Sequence, residues 1–391
     1  MNLAQKVECS PMKILIVCGT EITRIGGAYL AIGEVARRLV TGGDDCTVIS
    51  INPGGLPSEE LINGIHIVRV KSPISKYSLD ISPEFGYRFV NIVRKNDALD
   101  IIHLHGYNTL LTHEMALLCR IQSRDFVFTP HYSPFAHTHP IGAGAFAMGK
   151  PIGKLTFRFA NRVICISRFE SEIVRKDFGV PKDKILVIPN GVSFIHERKV
   201  QGLGSADDKC VQLLYVGYLL RLKGIQHIMA AIHILKHHRK QDAVLRIVGS
   251  GIHEAWLRRI SRELDIVDNV EWLGELRGES LNNEYRNADV FLLLSETENY
   301  GTVVAEALSN GTPCVVTTNS ALKEFTNEQG CYGIGDPSDA EKVTDLILEI
   351  VRCGRGVGPL TGSIQTWDTV SRSIREAYSQ VISESWHRKK S

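Results

Sequence analysis

Short apolar runs recur along the chain and alternate with longer segments whose apolar residues follow helical spacing. A run of this length is typical of a strand that is buried on both faces, and strands that alternate with helices predict a parallel, doubly wound sheet. The runs of the first half span residues 13–18, 46–51, 65–70, 100–105, 126–129, 162–167 and 185–188.

A second alternating series follows a strong turn signal. It begins after the tetrapeptide 189–192 (Pro-Asn-Gly-Val) and a polar segment, and its apolar runs span residues 211–217, 245–249, 270–274 and 290–294. We therefore expect a first domain over residues 1–197, a linker over 198–209 and a second domain over 210–365. A stripe formed by Trp367, Val370, Ile374, Tyr378 and Ile382 predicts a helix within residues 366–391.

Composition narrows the class of protein. The 391 residues are 43% hydrophobic and 23% charged, which is ordinary for a globular protein of two domains, and the net charge of +2 does not favour nucleic acid as a partner. The nine cysteines are scattered without metal or redox spacing, which favours reduced thiols in the cytosol. No apolar segment suits a signal peptide or a membrane span, so we expect a cytoplasmic protein.

The segment 295–313 carries the strongest candidate chemistry. Glu298 and Glu306 lie eight positions apart on either side of Gly301, after the apolar run 290–294 and at the start of a helically spaced segment. Ligands of open α/β sheets bind at the carboxyl ends of strands, and a helix N-terminus attracts phosphate. Both carboxylates can therefore point into one cleft, where they would accept hydrogen bonds from ligand hydroxyls.

This pattern of two glutamates followed by Gly-Thr-Pro resembles the donor-site signature of family 4 glycosyltransferases, which are retaining enzymes. The resemblance implies the GT-B fold: two Rossmann-like, doubly wound parallel-sheet domains that face each other across a cleft, with a last helix that crosses back onto the first domain. It also implies that Glu298 approaches the transferred sugar and that Glu306 binds the ribose. The backbone of Asn299, Tyr300, Gly301 and Thr302 would approach the sugar and the diphosphate.

Further landmarks of the family occur in the first half. Gly26 and Gly27, near Arg24, follow the first strand, where the family places backbone amides close to the donor phosphate or the acceptor, although the spacing does not fit the dinucleotide fingerprint. His131 resembles the histidine that touches the donor sugar, and we rank it above His105. Asn190 belongs to the turn tetrapeptide that marks the end of the first domain. His103, His113, His137 and His139 have no such support.

One position departs from the family. The family carries an arginine after the glycine of YVGYLLRLKG, and here that residue is Tyr218, whereas the lysine five positions later is kept as Lys223. Tyrosine brings no charge to a diphosphate. Arg221 would supply the missing charge, Tyr218 would stack on or hydrogen-bond the donor, or the site would be weakened. We favour Arg221.

The sequence thus predicts a retaining glycosyltransferase that moves a sugar from a nucleotide diphosphate to an acceptor hydroxyl of a carbohydrate or a lipid-linked molecule. We assign the central roles to Glu298, His131 and Lys223. No protein cofactor is expected, and the chain has no Asp-x-Asp triplet, so we predict activity without a metal ion. Sugar and ribose binding explain both glutamates, which therefore need not be a glycosidase pair.

Two other classes share this fold. A nucleotide-sugar 2-epimerase has a similar donor site, although the segment 295–308 resembles the transferase form. A binding protein on a degenerate transferase fold is the other alternative.

The sequence indicates less about the acceptor than about the donor. Lys150, Lys154, Arg158 and Arg162 recur every four residues, which would place them on one helix face. A solvated helix face explains this pattern, and a contact with an anionic membrane surface or a lipid-phosphate acceptor is the functional alternative.

Overall fold

The computed structural model describes residues 10–19, 21, 27–71, 74–76, 79–95, 98–134, 140–193, 210–353, 357–358, 360 and 363–390. The chain forms two compact units, Met1–Gly191 with Trp367–Ser391, and Val192–Thr366. Arg24, Gly26 and the expected linker 198–209 lie outside the described residues.

The first unit is built on an eight-stranded sheet. Its strands are β1 Lys13–Cys18, β2 Asp45–Asn52, β3 Glu59–Ile62, β4 Ile65–Lys71, β7 Ile101–His105, β8 Phe126–Thr129, β9 Arg162–Cys165 and β10 Ile185–Val187, and a separate antiparallel pair consists of β5 Ile74–Lys76 and β6 Leu79–Ile81. The order across the sheet is β10-β9-β8-β7-β1-β2-β4-β3. The strands pair in parallel except for β3, which confirms the predicted doubly wound sheet.

Helices cover both faces of this sheet, and the side chains of β1 alternate between the two apolar cores that result. Leu15 and Val17 pack with one apolar cluster, whereas Ile14 and Ile16 belong to the other. The helices are α1 Gly27–Thr41, α2 Pro83–Lys95, α3 Leu110–Ile121, α4 Pro140–Phe159 and α5 Arg168–Phe178.

The sequence pattern overestimated one strand and missed several, of which β3 is the example in the first sheet. The run 162–167 ends as a strand at Cys165 because the Ser167 side chain caps α5 by accepting a hydrogen bond from the Glu170 amide. The strand β3 pairs antiparallel with β4 through a turn in which Asn63 and Gly64 both have positive φ.

The second unit contains a six-stranded, fully parallel sheet with the order β14-β13-β12-β15-β16-β17. Its strands are β12 Val211–Val216, β13 Ala243–Val248, β14 Val270–Gly274, β15 Val290–Leu293, β16 Cys314–Thr317 and β17 Cys331–Ile334. The helices are α6 Ile225–His237, α7 Glu254–Glu263, α8 Gly278–Asn287, α9 Thr302–Ser309 and α10 Ala340–Cys353, and two further short strands are β11 Gly191–Val192 and β18 Gln365–Thr366.

The last helix, α11 Trp367–Lys390, packs on the first unit. Six of its side chains join the core cluster that contains Ile14 and Ile16: Trp367, Val370, Ile374, Ala377, Tyr378 and Val381. Arg375 adds an ion pair between this helix and the first unit, since its guanidinium donates to the buried carboxylate of Asp44 at 2.9 Å. Gly191 allows the close approach at the helix start, where an added Cβ would lie 2.6 Å from the backbone nitrogen of Trp367.

No helix in the described ranges has both the length and the apolar character needed to cross a bilayer. The eight cysteines that the structure describes are all free thiols.

Candidate active site

The loop between β15 and α9 carries the predicted donor-site motif at the carboxyl end of the second sheet. Gly301 ends this loop with φ of 101°, and a Cβ at this position would meet the side chain of Leu322 at 2.5 Å. Glycine is therefore required both by the backbone conformation and by the space. The helix α9 then begins at Thr302.

A second loop is fixed against the first. A single 3₁₀ turn, Arg221–Lys223, lies before α6, and the amide of Glu296 donates to the Leu222 carbonyl at 2.8 Å. The Ser295 hydroxyl lies 3.1 Å from the same carbonyl oxygen and 2.9 Å from that of Thr297. Gly224 makes this approach possible, because an added Cβ would lie only 1.9 Å from the carbonyl oxygen of Leu294.

These backbone contacts bring Lys223 and Glu298 together. The Lys223 ammonium donates to Glu298 Oε1 at 2.5 Å, and the two side chains are 19% and 16% exposed. A pair that is mostly removed from water is screened less than a surface pair. An ammonium has three donors, so Lys223 can hold Glu298 and still donate to another anion.

Glu306 has a different partner. The hydroxyl of Tyr285, on α8, donates to Glu306 Oε2 at 2.8 Å. Burial raises the pKa of Glu306 to about 7, and the hydrogen bond from Tyr285 opposes that rise. The two glutamates of the motif are thus held differently, one as part of a charge pair and the other against a buried tyrosine that the sequence analysis did not identify.

Tyr300 and Thr297 are the polar side chains of the loop that stay unsatisfied. Their hydroxyl oxygens are buried and have no hydrogen-bond partner within the described residues. The Tyr300 ring packs against Phe325 with 5.1 Å between ring centroids. Asn299 and Thr302 are half-buried beside them.

The glycine-rich loop after β12 carries the departure from the family pattern. The Tyr218 side chain is 44% exposed, and its carbonyl accepts a hydrogen bond from the Tyr215 hydroxyl at 2.8 Å. The Arg221 guanidinium lies over the Trp256 ring, 5.8 Å from its centroid. Arg221 therefore stacks on α7, whereas Lys223 turns toward Glu298.

In the first unit the two predicted histidines do meet. His105 ends β7, His131 follows β8 with φ of 47°, and His105 Nδ1 lies 3.3 Å from His131 Nε2. Burial lowers the pKa of His131 to about 4, and burial together with the neighbouring histidines holds the pKa of His105 well below its usual range. Both rings are therefore neutral at pH 7.

His103, which the sequence analysis set aside, belongs to the same cluster. Its ring lies 3.9 Å from that of His105 between centroids, and its nitrogens are 2.6 Å from the Tyr378 hydroxyl and 2.8 Å from Thr129 Oγ1. The signal was present, because residues two apart on a strand share one face. Tyr378 on α11 had no comparable signal in the sequence.

A cavity of about 30 Å³ adjoins these histidines, which is enough for a water molecule. Its lining is mostly apolar, with polar groups from His103, His105, His131, Thr129 and Asn190. His131 Nδ1 is buried, and no hydrogen bond to it exists in the described part of the chain. Gly27, the remaining predicted residue of the first unit, begins α1.

Within those described ranges, no group of three or more His, Cys, Asp or Glu side chains has an arrangement that could hold a metal ion.

The predicted basic helix face is correct for Lys150, Lys154 and Arg158, which lie on α4, and wrong for Arg162. The helix α4 ends at Phe159, and Arg162 is the first residue of β9, where it pairs with Glu384. The four-residue spacing of the cations continues past the end of the helix, so spacing alone does not show where the helix stops. Lys150 pairs with Asp177 at 3.2 Å, so two of the four cations have carboxylate partners.

Comparisons with known proteins agree with the fold and the motif. Residues 25–194 match the family Glycosyltransferase Family 4, and residues 198–356 match Glycosyl transferases group 1. An uncharacterized glycosyltransferase of Methanocaldococcus jannaschii is 29% identical over 336 residues, which cover 81% of this chain and 83% of that protein.

Solved structures match over both units. Sucrose-phosphate synthase from Thermosynechococcus elongatus has a TM-score of 0.69 at 19% identity and covers 97% of this chain and 98% of its own. HepE of Anabaena in complex with UDP-glucose has a TM-score of 0.65 at 17% identity and covers 96% of this chain and 100% of its own. Two family matches that together span most of the chain, on two parallel-sheet units, lead to one conclusion: the chain is a GT-B glycosyltransferase and belongs to family 4.

Proposed function

We propose that the protein transfers a sugar from a nucleotide diphosphate to an acceptor hydroxyl with retention of the anomeric configuration, and that the donor binds at the carboxyl end of the second sheet. The observation that carries this proposal is the Lys223–Glu298 pair at 2.5 Å, on two loops that are fixed to each other. A cation and a carboxylate held side by side fit the two parts of such a donor, its diphosphate and its sugar hydroxyls.

Each member of the pair has a proposed role in the reaction. As the bond between the sugar and the diphosphate breaks, negative charge grows on the leaving phosphate, and a preorganised ammonium stabilises that charge. Lys223 would direct its remaining N–H donors to the phosphate while it holds Glu298 in place. Glu298 would accept hydrogen bonds from the sugar hydroxyls, and His131 is proposed to contribute a hydrogen bond to the reaction.

Glu306 is proposed to bind the ribose. A carboxylate accepts hydrogen bonds from neighbouring hydroxyls, and Tyr285 already donates to one of its oxygens at 2.8 Å. The tyrosine therefore orients the carboxylate before the donor binds.

UDP-sugars are the first donors to test, because a structure of this fold is named as a complex with UDP-glucose. The experiment incubates the protein with a panel of UDP-, GDP- and ADP-sugars and a mixture of carbohydrate and lipid-linked acceptors, and follows nucleotide release and the fate of the sugar. Nucleotide diphosphate released with a glycosylated product, and its loss in Glu298→Gln, is the expected result. An isomerised sugar without transfer would identify an epimerase instead, and no turnover with any donor would refute the proposal.

Transfer is proposed to need no metal ion, since Lys223 and the amino end of α9 offer fixed positive charge and N–H donors to the diphosphate. We expect activity to survive a chelator. Activity that disappears with EDTA and returns with manganese would contradict this.

Arg221 is proposed to take the role of the family arginine, whose position is occupied by Tyr218 in this chain. The guanidinium would leave the ring of Trp256 and turn to the donor diphosphate when the nucleotide sugar binds. Steady-state kinetics of Arg221→Ala and Lys223→Ala test this. If Lys223→Ala is inactive while Arg221→Ala equals the wild type, Arg221 has no such role.

A further inference from the structure

A second concave site lies at the other edge of the first sheet. The strands β9 and β10 begin there, at Arg162 and Ile185, whereas the histidines of the candidate active site lie at the carboxyl ends of their strands. The cavity has a volume of about 500 Å³. Ligand sites typically measure roughly 300 to 1,000 Å³, so this one has the size of a small-molecule site.

Cationic side chains dominate the lining of this cavity, which we call the basic pocket. Four cations line it against a single carboxylate: Arg158, Arg162, Lys184 and Arg388, with Asp183. Two of these cations form ion pairs with carboxylates that do not line the pocket: Arg162 with Glu384, and Arg388 with Asp125.

The other two cations carry the excess charge. The Lys184 ammonium donates to the Arg158 carbonyl at 2.9 Å, which offsets the partial negative charge at the carboxyl end of α4. Burial and the nearby Arg162 charge lower the pKa of Lys184, which shows that the positive charges are crowded. Within the described residues the exposed guanidinium of Arg158 has no carboxylate partner.

We propose that the basic pocket binds a phosphate group, carried either by a soluble molecule or by a lipid headgroup. Arginine offers a planar fork of donors that matches phosphate oxygens, and Lys184 adds a point charge with two further donors. The four cations face three carboxylates, Asp183, Glu384 and Asp125, so one positive charge is left for a bound phosphate to neutralise. The pocket contains none of the residues assigned to sugar transfer.

Inorganic phosphate is the probe for the shared chemistry, and isothermal titration calorimetry measures its binding. All proteins carry Lys223→Gln, so that phosphate at the proposed donor site does not contribute. We expect Arg158→Gln and Lys184→Gln each to weaken binding about tenfold, the loss of one charge-assisted hydrogen bond. The glutamine at position 184 can still donate to the Arg158 carbonyl, which protects the fold.

The matched control is Lys154→Gln, an exposed cation one turn before Arg158 on the same helix, and it is expected to bind phosphate like its parent. Thermal unfolding confirms that each variant is folded. No binding at millimolar phosphate, or an equal loss in all three variants, would overturn the proposal.

Vesicles distinguish the two sources of the phosphate. The protein is sedimented with phosphatidylcholine vesicles that contain phosphatidic acid, and again with phosphatidylcholine alone. Retention on the acidic vesicles that weakens in Arg158→Gln but not in Lys154→Gln assigns the pocket to a lipid headgroup. Phosphate binding without vesicle retention assigns it to a soluble ligand, and vesicle retention that Lys154→Gln reduces as strongly as Arg158→Gln would show a diffuse basic surface and overturn the pocket.

Discussion

The carboxyl ends of the two parallel sheets differ in their electrostatics. In the first unit, buried histidines with lowered pKa values stand together and carry no charge at pH 7. In the second unit, Lys223 and Glu298 form an ion pair, and Glu306 is half-buried and has a raised pKa. Similar sheets thus present neutral hydrogen-bonding groups in one unit and charges in the other. The difference fits a division of roles between the units, in which the second unit would bind the phosphates of the donor.

The largest expected effect tests that division through turnover. Glu298→Gln and Lys223→Gln are expected to lower kcat by about 10²- to 10³-fold, because each removes a fixed charge from the proposed donor site. His131→Asn should lower it only about tenfold, the worth of one hydrogen bond of ordinary strength. Steady-state kinetics with the active donor give the three values, and a larger loss in His131→Asn than in Glu298→Gln would reverse the division.

Changes of pH should also affect the stability that the two regions contribute in opposite directions. The folded chain keeps His131 neutral down to about pH 4, whereas an unfolded histidine takes up a proton near pH 6.5, so stability is lost as pH falls through this window. Folded Glu306 keeps a proton up to about pH 7, whereas the unfolded carboxyl releases it near pH 4.5, so stability is lost as pH rises through that window. Each effect is expected to reach a few kcal/mol across its window, at about 1.4 kcal/mol per unit of pKa shift.

Denaturant unfolding at several pH values checks this, with His131→Asn and Glu306→Gln each compared with the wild type. The difference between wild type and His131→Asn should shrink or reverse as pH falls, and that for Glu306→Gln as pH rises. Parallel curves for both variants would contradict the assigned charges. Trp367 and Trp386 report on the first unit, and Trp256 and Trp272 report on the second.

A smaller effect tests how the neutral histidines are held. Tyr378→Phe removes the hydroxyl that lies 2.6 Å from His103 Nδ1 and leaves a buried ring nitrogen without that partner. We expect a loss of about 1 to 3 kcal/mol in the free energy of unfolding. Tyr87→Phe is the matched control, because this side chain is 66% exposed. An equal, small effect in both variants would mean that the hydroxyl of Tyr378 does not support the cluster.

The smallest effect concerns a single hydroxyl in the second unit. Tyr300→Phe removes a buried hydroxyl that lacks a partner in the described structure, so stability is expected to rise by up to about 1 kcal/mol. Tyr285→Phe makes the same chemical change, but it removes the hydrogen bond to Glu306 and should destabilise the protein. The midpoints of urea unfolding distinguish the two, and destabilisation by Tyr300→Phe would show that its hydroxyl is satisfied.

The sequence predicted the two sheets well because buried parallel strands are continuous apolar runs, as at residues 13–18 and 211–217. It missed β16 and β17 of the second sheet. It also missed β3, whose residues Glu59–Ile62 are only half apolar, although the Asn63-Gly64 turn is a hairpin signal. Spacing alone could not show that a helix ends before Arg162. In that respect the prediction failed where tertiary packing decides the boundary.

The candidate site was predicted from motif positions, but its partners were not. Glu298 and Glu306 share a motif, yet one is held by Lys223, 75 positions earlier, and the other by Tyr285 on a neighbouring helix. Pairs so far apart along the chain are set by the sheet order, which brings β12 beside β15. Tyr378 lies 275 positions from His103 and reaches it because α11 packs on one face of the first sheet.

The last helix has a consequence for the order in which the protein is made. A ribosome releases the strands of the first unit early, but the layer of side chains that covers one of their faces ends with Val381. Between Gly191 and Val381 the ribosome needs on the order of 10 to 40 s, and during that time, among the described helices, only α1 covers this apolar face, through residues such as Ile32 and Leu39. The second unit, whose residues are contiguous, can fold within that interval. Biosynthesis would therefore favour completion of the second unit before the first, with the nascent first unit as the preferred client of chaperones.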